Sequence, residues 1–178
     1  MNYLIYDCET IRPVLDPKRD HFVHPGVEYA DSWTDYVKMG IAVICAYESA
    51  TDRYRVFFQD NFDEFKTLTG RVDLCIGYNN RRFDNPLLEA NIGLRFDQHD
   101  CPVSYDLLAA IWESLGSSFV RGCSLDSMSR ANGLPGKTCT GALAPVLWQQ
   151  GNRGTVVDNC LHDVWLVKRL MEKVFTDG

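Results

Sequence analysis

The sequence predicts an α/β domain, a mixed β-sheet with helices packed against it, and three observations carry that prediction. Strand-like apolar runs gather before residue 80, in YLIYDC, GIAVICAYE, RYRVFFQ and VDLCIGYN. Helical patterns take over after them. The last run sets Val156, Cys160, Val164, Val167 and Met171 at the spacing of one helix face. At 178 residues the chain is long enough for one substantial core, and no repeat, low-complexity tract or linker divides it.

Taken in order, residues 2–8 read as a strand that stops at the carboxylates of DCET. An irregular stretch, 11–38, follows with three prolines, two histidines, Trp33 and Tyr36. A loop that long in a compact domain is usually functional. Residues 40–48 and 53–59 read as strands joined by a polar ESATD turn, hence an antiparallel hairpin. In DNFDEFKTL, Asp60 or Asn61 caps a short helix that sets Phe62 and Phe65 on one face. Residues 72–79 read as a buried strand. NPLLEANIGL suits a helix, with Pro86 early and Gly93 at the stop. An extended piece at Pro102–Tyr105 leads to helical DLLAAIWESLG, SLDSMSRANGL and GALAPVLWQQG, and a closing helix spans about 155–175.

Composition narrows the partners. A formal charge of −6 argues against a broad basic face of the kind that grips nucleic acid nonspecifically. It leaves room for a nucleic-acid enzyme, since a carboxylate site is acidic and bound cations invert its local sign. Seven dispersed cysteines (8, 45, 75, 101, 123, 139 and 160) without a CxxC pair read as reduced thiols in apolar segments. His21 with His24, or His99 with Cys101, lacks the second pair that a zinc site needs. No apolar stretch is long enough to cross a bilayer, and the start MNYLIY lacks the features of a secretory signal, so a cytoplasmic location is expected.

The carboxylates are the strongest chemical signal. Asp7 and Glu9 are two residues apart in a strand and project to one face, with Cys8 on the other. Two close acids repel each other and resist leaving water unless a cation lies between them. Asp84, in GYNNRRFDNPLL, and Asp163, in NCLHDVWLVKRL, supply further acids from separate elements. Such a cluster suits a pair of hard divalent cations, which generate a hydroxide and neutralise a departing 3′ oxygen in phosphodiester hydrolysis. Asn79 either binds a nucleotide or caps a turn. Phe83 is either core or an aromatic support for a base. Arg81 and Arg82 offer phosphate-binding charge or form a solvated surface.

DCET, then GYN-x-x-x-FD-x-P-x-L, then a late helix with C-x-x-DV-x-L resembles the DEDD superfamily of 3′–5′ exonucleases, in particular the proofreading-exonuclease-like domains of family-B DNA polymerases and their stand-alone relatives. SLDSMSRANGLPGKT resembles the link between the second and third acidic motifs of those proteins. The resemblance covers nearly the whole chain outside 11–38. It implies a ribonuclease-H-like fold, with Asp7, Glu9, Asp84 and Asp163 as ligands of two magnesium or manganese ions and Asn79 and Phe83 in support. The implied activity is 3′–5′ exonucleolytic cleavage of single-stranded DNA or frayed ends, with RNA as an alternative substrate. A nuclease-like protein that binds nucleic acid without cleaving it, and a structure-specific endonuclease, are the other readings.

The chain departs from that pattern at one place. The family usually sets a tyrosine four residues, or a histidine five, before the last aspartate, to orient or deprotonate the attacking water. Here those positions are Asn159 and Asp158. On a regular helix Asn159 shares a face with Asp163 and points its amide into the site, whereas His162 lies about 100° round. Trp33, Tyr36, Lys18 and Arg19 lead to the expectation that the 11–38 loop flanks the cleft and contacts the nucleic-acid strand, against the alternative that it covers a sheet edge.

Overall fold

The computed structural model describes residues 1–15, 23–96, 102–139 and 141–176. Lys18, Arg19, His21, His99 and Cys101, each singled out above, lie outside the described residues. The elements run β1 (Tyr3–Thr10), α1 (Tyr36–Met39), β2 (Ile41–Glu48), β3 (Arg53–Phe57), α2 (Phe62–Thr69), β4 (Leu74–Gly77), α3 (Asp84–Ile92), β5 (Val103–Asp106), α4 (Leu107–Ser114), α5 (Leu125–Ala131), α6 (Ala144–Gln149) and α7 (Arg153–Thr176).

The five strands form one mixed sheet in the order β3-β2-β1-β4-β5, with helices on both faces in a ribonuclease-H-like arrangement. β1 is central, antiparallel to β2 and parallel to β4. Alternation along β1 divides the core. Leu4, Tyr6 and Cys8 pack with Phe65 and Leu68 of α2 and Leu87 and Leu88 of α3. Ile5 faces the opposite layer, with Val156, Cys160 and Val164 of α7, Leu125 of α5 and Ala144 of α6. Covered on both sides, β2 is apolar almost throughout, as a doubly buried strand must be. The 41–48 and 53–57 hairpin is antiparallel, as its turn predicts.

Several boundaries differ from the sequence reading. β4 is shorter than 72–79 because the chain turns out of the sheet past Gly77, with Asn79 at φ 65°. β3 ends at Phe57 because Asn61 Oδ1 accepts the Phe58 amide at 2.6 Å and starts the turn into α2. Asn61 is the N-cap residue of α2, yet its side chain makes no cap hydrogen bond. The single-turn α1, capped by Asp35 Oδ1 on the Lys38 amide, falls in a stretch that the sequence reads as irregular. Among the described residues, no helix is long and apolar enough to cross a membrane.

Candidate active site

The site forms where β1, β4 and β5, which run in the same direction, come to their carboxyl ends beneath α7. Asp7 and Glu9 share the face of β1 that carries Ile5, the face covered by α7. Cys160, one turn from Asp163 along α7, lies with its Sγ 3.4 Å from the Asp7 carbonyl and seats the helix on the strand. Carboxylate oxygens of Asp7, Glu9 and Asp163 then fall within 4.8 Å of one another.

Asp84 reaches the same cavity by another route. β1 extends beyond its last pairing with β4, at Ile5 and Ile76, so the Cys8 amide finds no strand partner there. Asp84 Oδ1 accepts that amide at 3.0 Å. The turn that delivers Asp84 is fixed from two sides. Buried Asp106 accepts the Asn79 and Arg81 amides at 2.9 and 3.2 Å and also caps α4 through the Leu108 and Ala109 amides. Buried Asn80 donates to the Tyr6 hydroxyl at 3.0 Å and to Ser104 Oγ at 3.2 Å, while Tyr6 donates to Asn85, the residue after Asp84. Gly77 makes this approach possible, since a Cβ there would stand 2.6 Å from that of Asn80.

A lysine that the sequence reading passed over stands among the acids. Lys137 Nζ pairs with Asp163 Oδ2, and its side chain is about three-quarters covered. Its short strap is held at three points. The Lys137 amide donates to Asp126 Oδ1 at 2.8 Å, His162 Nε2 lies 3.1 Å from the Gly136 carbonyl, and Thr138 Oγ1 donates to Asn159 Oδ1 at 2.7 Å. A Cβ at Gly136 would have to displace the ends of the Asp126 and Arg130 side chains, which close over this turn. One signal of Lys137 was present in the sequence: between Arg130 and Arg153 it is the sole charged residue.

These contacts correct the expectation for Asn159. Its amide holds Thr138 and does not line the cavity, because the strap lies over that part of α7. His162 faces elsewhere, as its position round the helix predicts, stacking on Trp165 at 5.5 Å. Arg81 and Arg82 do not line the cavity either. The Arg82 guanidinium lies 4.8 Å over the Trp112 ring and donates to the Ser118 carbonyl, and Arg81 sits 3.9 Å from Glu113. An aromatic face and a loop carbonyl draw the pair to the α4 side.

The electrostatics record crowded acids. Burial pushes Glu9 up to about 8, with Lys137 pulling it down and Asp163 and Asp84 adding to the rise. Burial likewise raises Asp84 to about 7 against the Cys8 hydrogen bonds. Asp7 lies well above the carboxylate range, through burial first and then the charges of Asp84, Asp163 and Glu9. Burial works to lower Lys137, but Asp163 and Asp7 outweigh it and hold the ammonium above its ordinary value.

The four acids, with Asn79 and Phe83, line a cavity of about 340 Å3. Its far wall comes from the 11–38 segment, through Pro13, Val14, His24, Tyr29 and Trp33, so the described part of that segment flanks the cleft. Tyr36 does not contribute, since its hydroxyl donates to the Arg82 carbonyl and its ring packs on the core. An all-oxygen trio with a fourth acid beside it fits a hard divalent cation, and Lys137 already shows that the trio accepts positive charge.

No family model matches the sequence, and no curated protein matches it. The structure is similar to the family B DNA polymerase from the hyperthermophilic archaeon Pyrobaculum calidifontis, with a TM-score of 0.66 and 17% identity. The match covers 98% of this chain and 24% of the polymerase, so the chain spans about a quarter of that protein's length. At this identity the likeness is one of fold.

Proposed function

We propose that this protein is a divalent-cation-dependent 3′–5′ exonuclease acting on single-stranded DNA or on frayed 3′ ends, with RNA as an alternative substrate. The observation that carries the reading is the convergence of the Asp7, Glu9 and Asp163 oxygens, with Asp84 lining the same cavity, at the strand ends of a fold shared with a DNA polymerase. Asp7, Glu9 and Asp163 would hold the first cation, and Asp84 with Asp7 a second. When bound, the cations supply an activated water and neutralise the leaving 3′ oxygen. The remaining tasks fall to the chain itself. Lys137 places an ammonium beside Asp163, where an incoming phosphate needs a counter-charge. Phe83 and the far wall offer an apolar surface to a base and sugar. Asn159, an amide, holds the Lys137 strap and takes no proton.

A second reading, binding without cleavage, draws support from that same Lys137–Asp163 pair, because a built-in ammonium neutralises part of the cluster without any metal. The deciding experiment incubates the protein with 5′-labelled single-stranded DNA, duplex with a frayed 3′ end, and RNA, in magnesium, manganese or chelator. Stepwise shortening from the 3′ end that stops with chelator and with Asp7→Asn supports the exonuclease. Internal cuts point to an endonuclease, and retained binding without cleavage in either metal supports the second reading.

A further inference from the structure

We propose that Gln149 is a positioning residue that sets the affinity of the cleft for the unpaired terminal nucleoside of a strand, by clasping the segment that forms its far wall. This rests on the nucleic-acid reading above. Gln149 ends α6 and spends its whole amide on backbone of that segment. Its Nε2 donates to the carbonyls of Ile11 and Glu28, both at 2.9 Å, and its Oε1 accepts the Glu28 amide at 2.8 Å. One side chain thus bridges the outgoing and returning arms and anchors both to α6.

The two arms are also tied to each other, and buried Val14 and Ala30 pack them on the core while the Ile11 and Arg12 amides donate to the Met39 carbonyl. The Ala30 amide donates to the Pro13 carbonyl at 2.9 Å, Val14 bridges to Ala30, and Arg12 pairs with Glu28 at 2.8 Å. The Arg12–Glu28 pair is exposed and adds little rigidity in salt. Gln149 is the tie, beside that core packing, between α6 and the segment that brings Tyr29 and Trp33 to the cavity that Phe83 also lines. Trp33 is 52% exposed on the rim, a large ring with little packing of its own. A flat ring system entering beside the acids would cover it. Pro145 and Val146 of α6, the helix that carries Gln149, line the same cavity, so the clasp joins two parts of its lining.

The test compares wild type with Gln149→Ala and Gln149→Glu, the latter keeping the acceptor for the Glu28 amide and losing both donors. Dissociation constants for a short labelled single-stranded DNA are read by anisotropy in an Asp84→Ala background, kcat and KM in the otherwise native protein, and amide exchange over residues 23–33. Gln149→Ala should raise Kd and KM about fivefold to tenfold, leave kcat within about twofold, and speed exchange in 23–33 with the global melt retained. Gln149→Glu, which sets a carboxylate oxygen against the Ile11 and Glu28 carbonyls, should be at least as damaging. Faster exchange with unchanged Kd, unchanged exchange, or a loss confined to kcat would overturn the proposal, and so would a wild-type protein that binds no single strand. A wild type that binds DNA without cutting it counts against the exonuclease alone, because the affinity and exchange arms need no turnover.

Discussion

Thr138 donates to Asn159 across 2.7 Å, and this contact, made by the residue next to Lys137, connects α7 to the only ammonium paired with the acid trio among the described residues. Asn159 Nδ2 is buried without a partner, so the amide is held by that one bond. Asn159→Ala should cost about 1–2 kcal/mol, read by chemical denaturation. It should also lower turnover through a displaced Lys137. Asn159→Tyr should do no better, because a phenol there must push the strap aside. His162→Ala, which removes a contact to Gly136 and a stack on Trp165, should leave measurable cleavage.

Lys137→Ala should separate metal binding from stability. Without the ammonium, Asp163 and its neighbours are more repelled, so the metal-free melting temperature should fall by a few degrees at pH 8 and much less at pH 5. Manganese affinity, measured by calorimetry, should rise roughly threefold to tenfold as a competing cation is removed. Cleavage should nonetheless fall. Equal or better cleavage would show that Lys137 only fills space for a metal.

The pH dependence of the metal-free protein follows from Glu9 at about 8 and Asp84 at about 7. In an unfolded chain such acids titrate near about 4. Between these limits the folded state retains protons that the unfolded chain has released, so stability is full below about pH 4 and is lost as pH rises through about 7 and 8. The melting temperature should drop by roughly 5–10 °C from pH 5 to pH 8.5 in chelator. Magnesium or manganese should restore it, and more so at the alkaline end.

Asp7→Asn keeps the shape of the side chain and removes a charge from the crowd. It should reduce cleavage at least about a hundredfold, while the metal-free protein melts at the same or a higher temperature. Gly77→Ala should instead damage both stability and the site. Its Cβ would press on Asn80, whose hydrogen bonds orient the turn before Asp84, so a cost of about 1–3 kcal/mol is expected with metal binding weakened as well.

The strand alternation that put Asp7 and Glu9 on one face, and the helical period that brought Cys160 and Val164 onto the sheet, were legible because they repeat. The mixed sheet and its hairpin followed from the same periodicities. Lys137 was not legible in that way. It stands in LPGKT, where no period says which way a side chain points, and only its isolation among uncharged neighbours marked it. Asn159 was misdirected for a related reason. Helix spacing correctly sets it beside Asp163 on the helix surface, but whether a loop lies over that surface is a tertiary fact. Asp106 stood in the sequence only as the first residue of a helical run, and its hold on Asn79 and Arg81 depends on β5 lying next to β4.

The brevity of β4 has a consequence for how this site tolerates change. Backbone pairing and side-chain aiming compete for the Cys8 amide, and Asp84 holds it only because the neighbouring strand has already ended. Lengthening β4 by a pair of residues would leave every acid in the sequence, yet it would offer that amide a carbonyl and set the carboxylate loose. An inventory of acidic residues would pass such a variant as intact. The place where the ladder stops is itself part of the chemistry, and insertions after Gly77 should be as damaging as the loss of an acid.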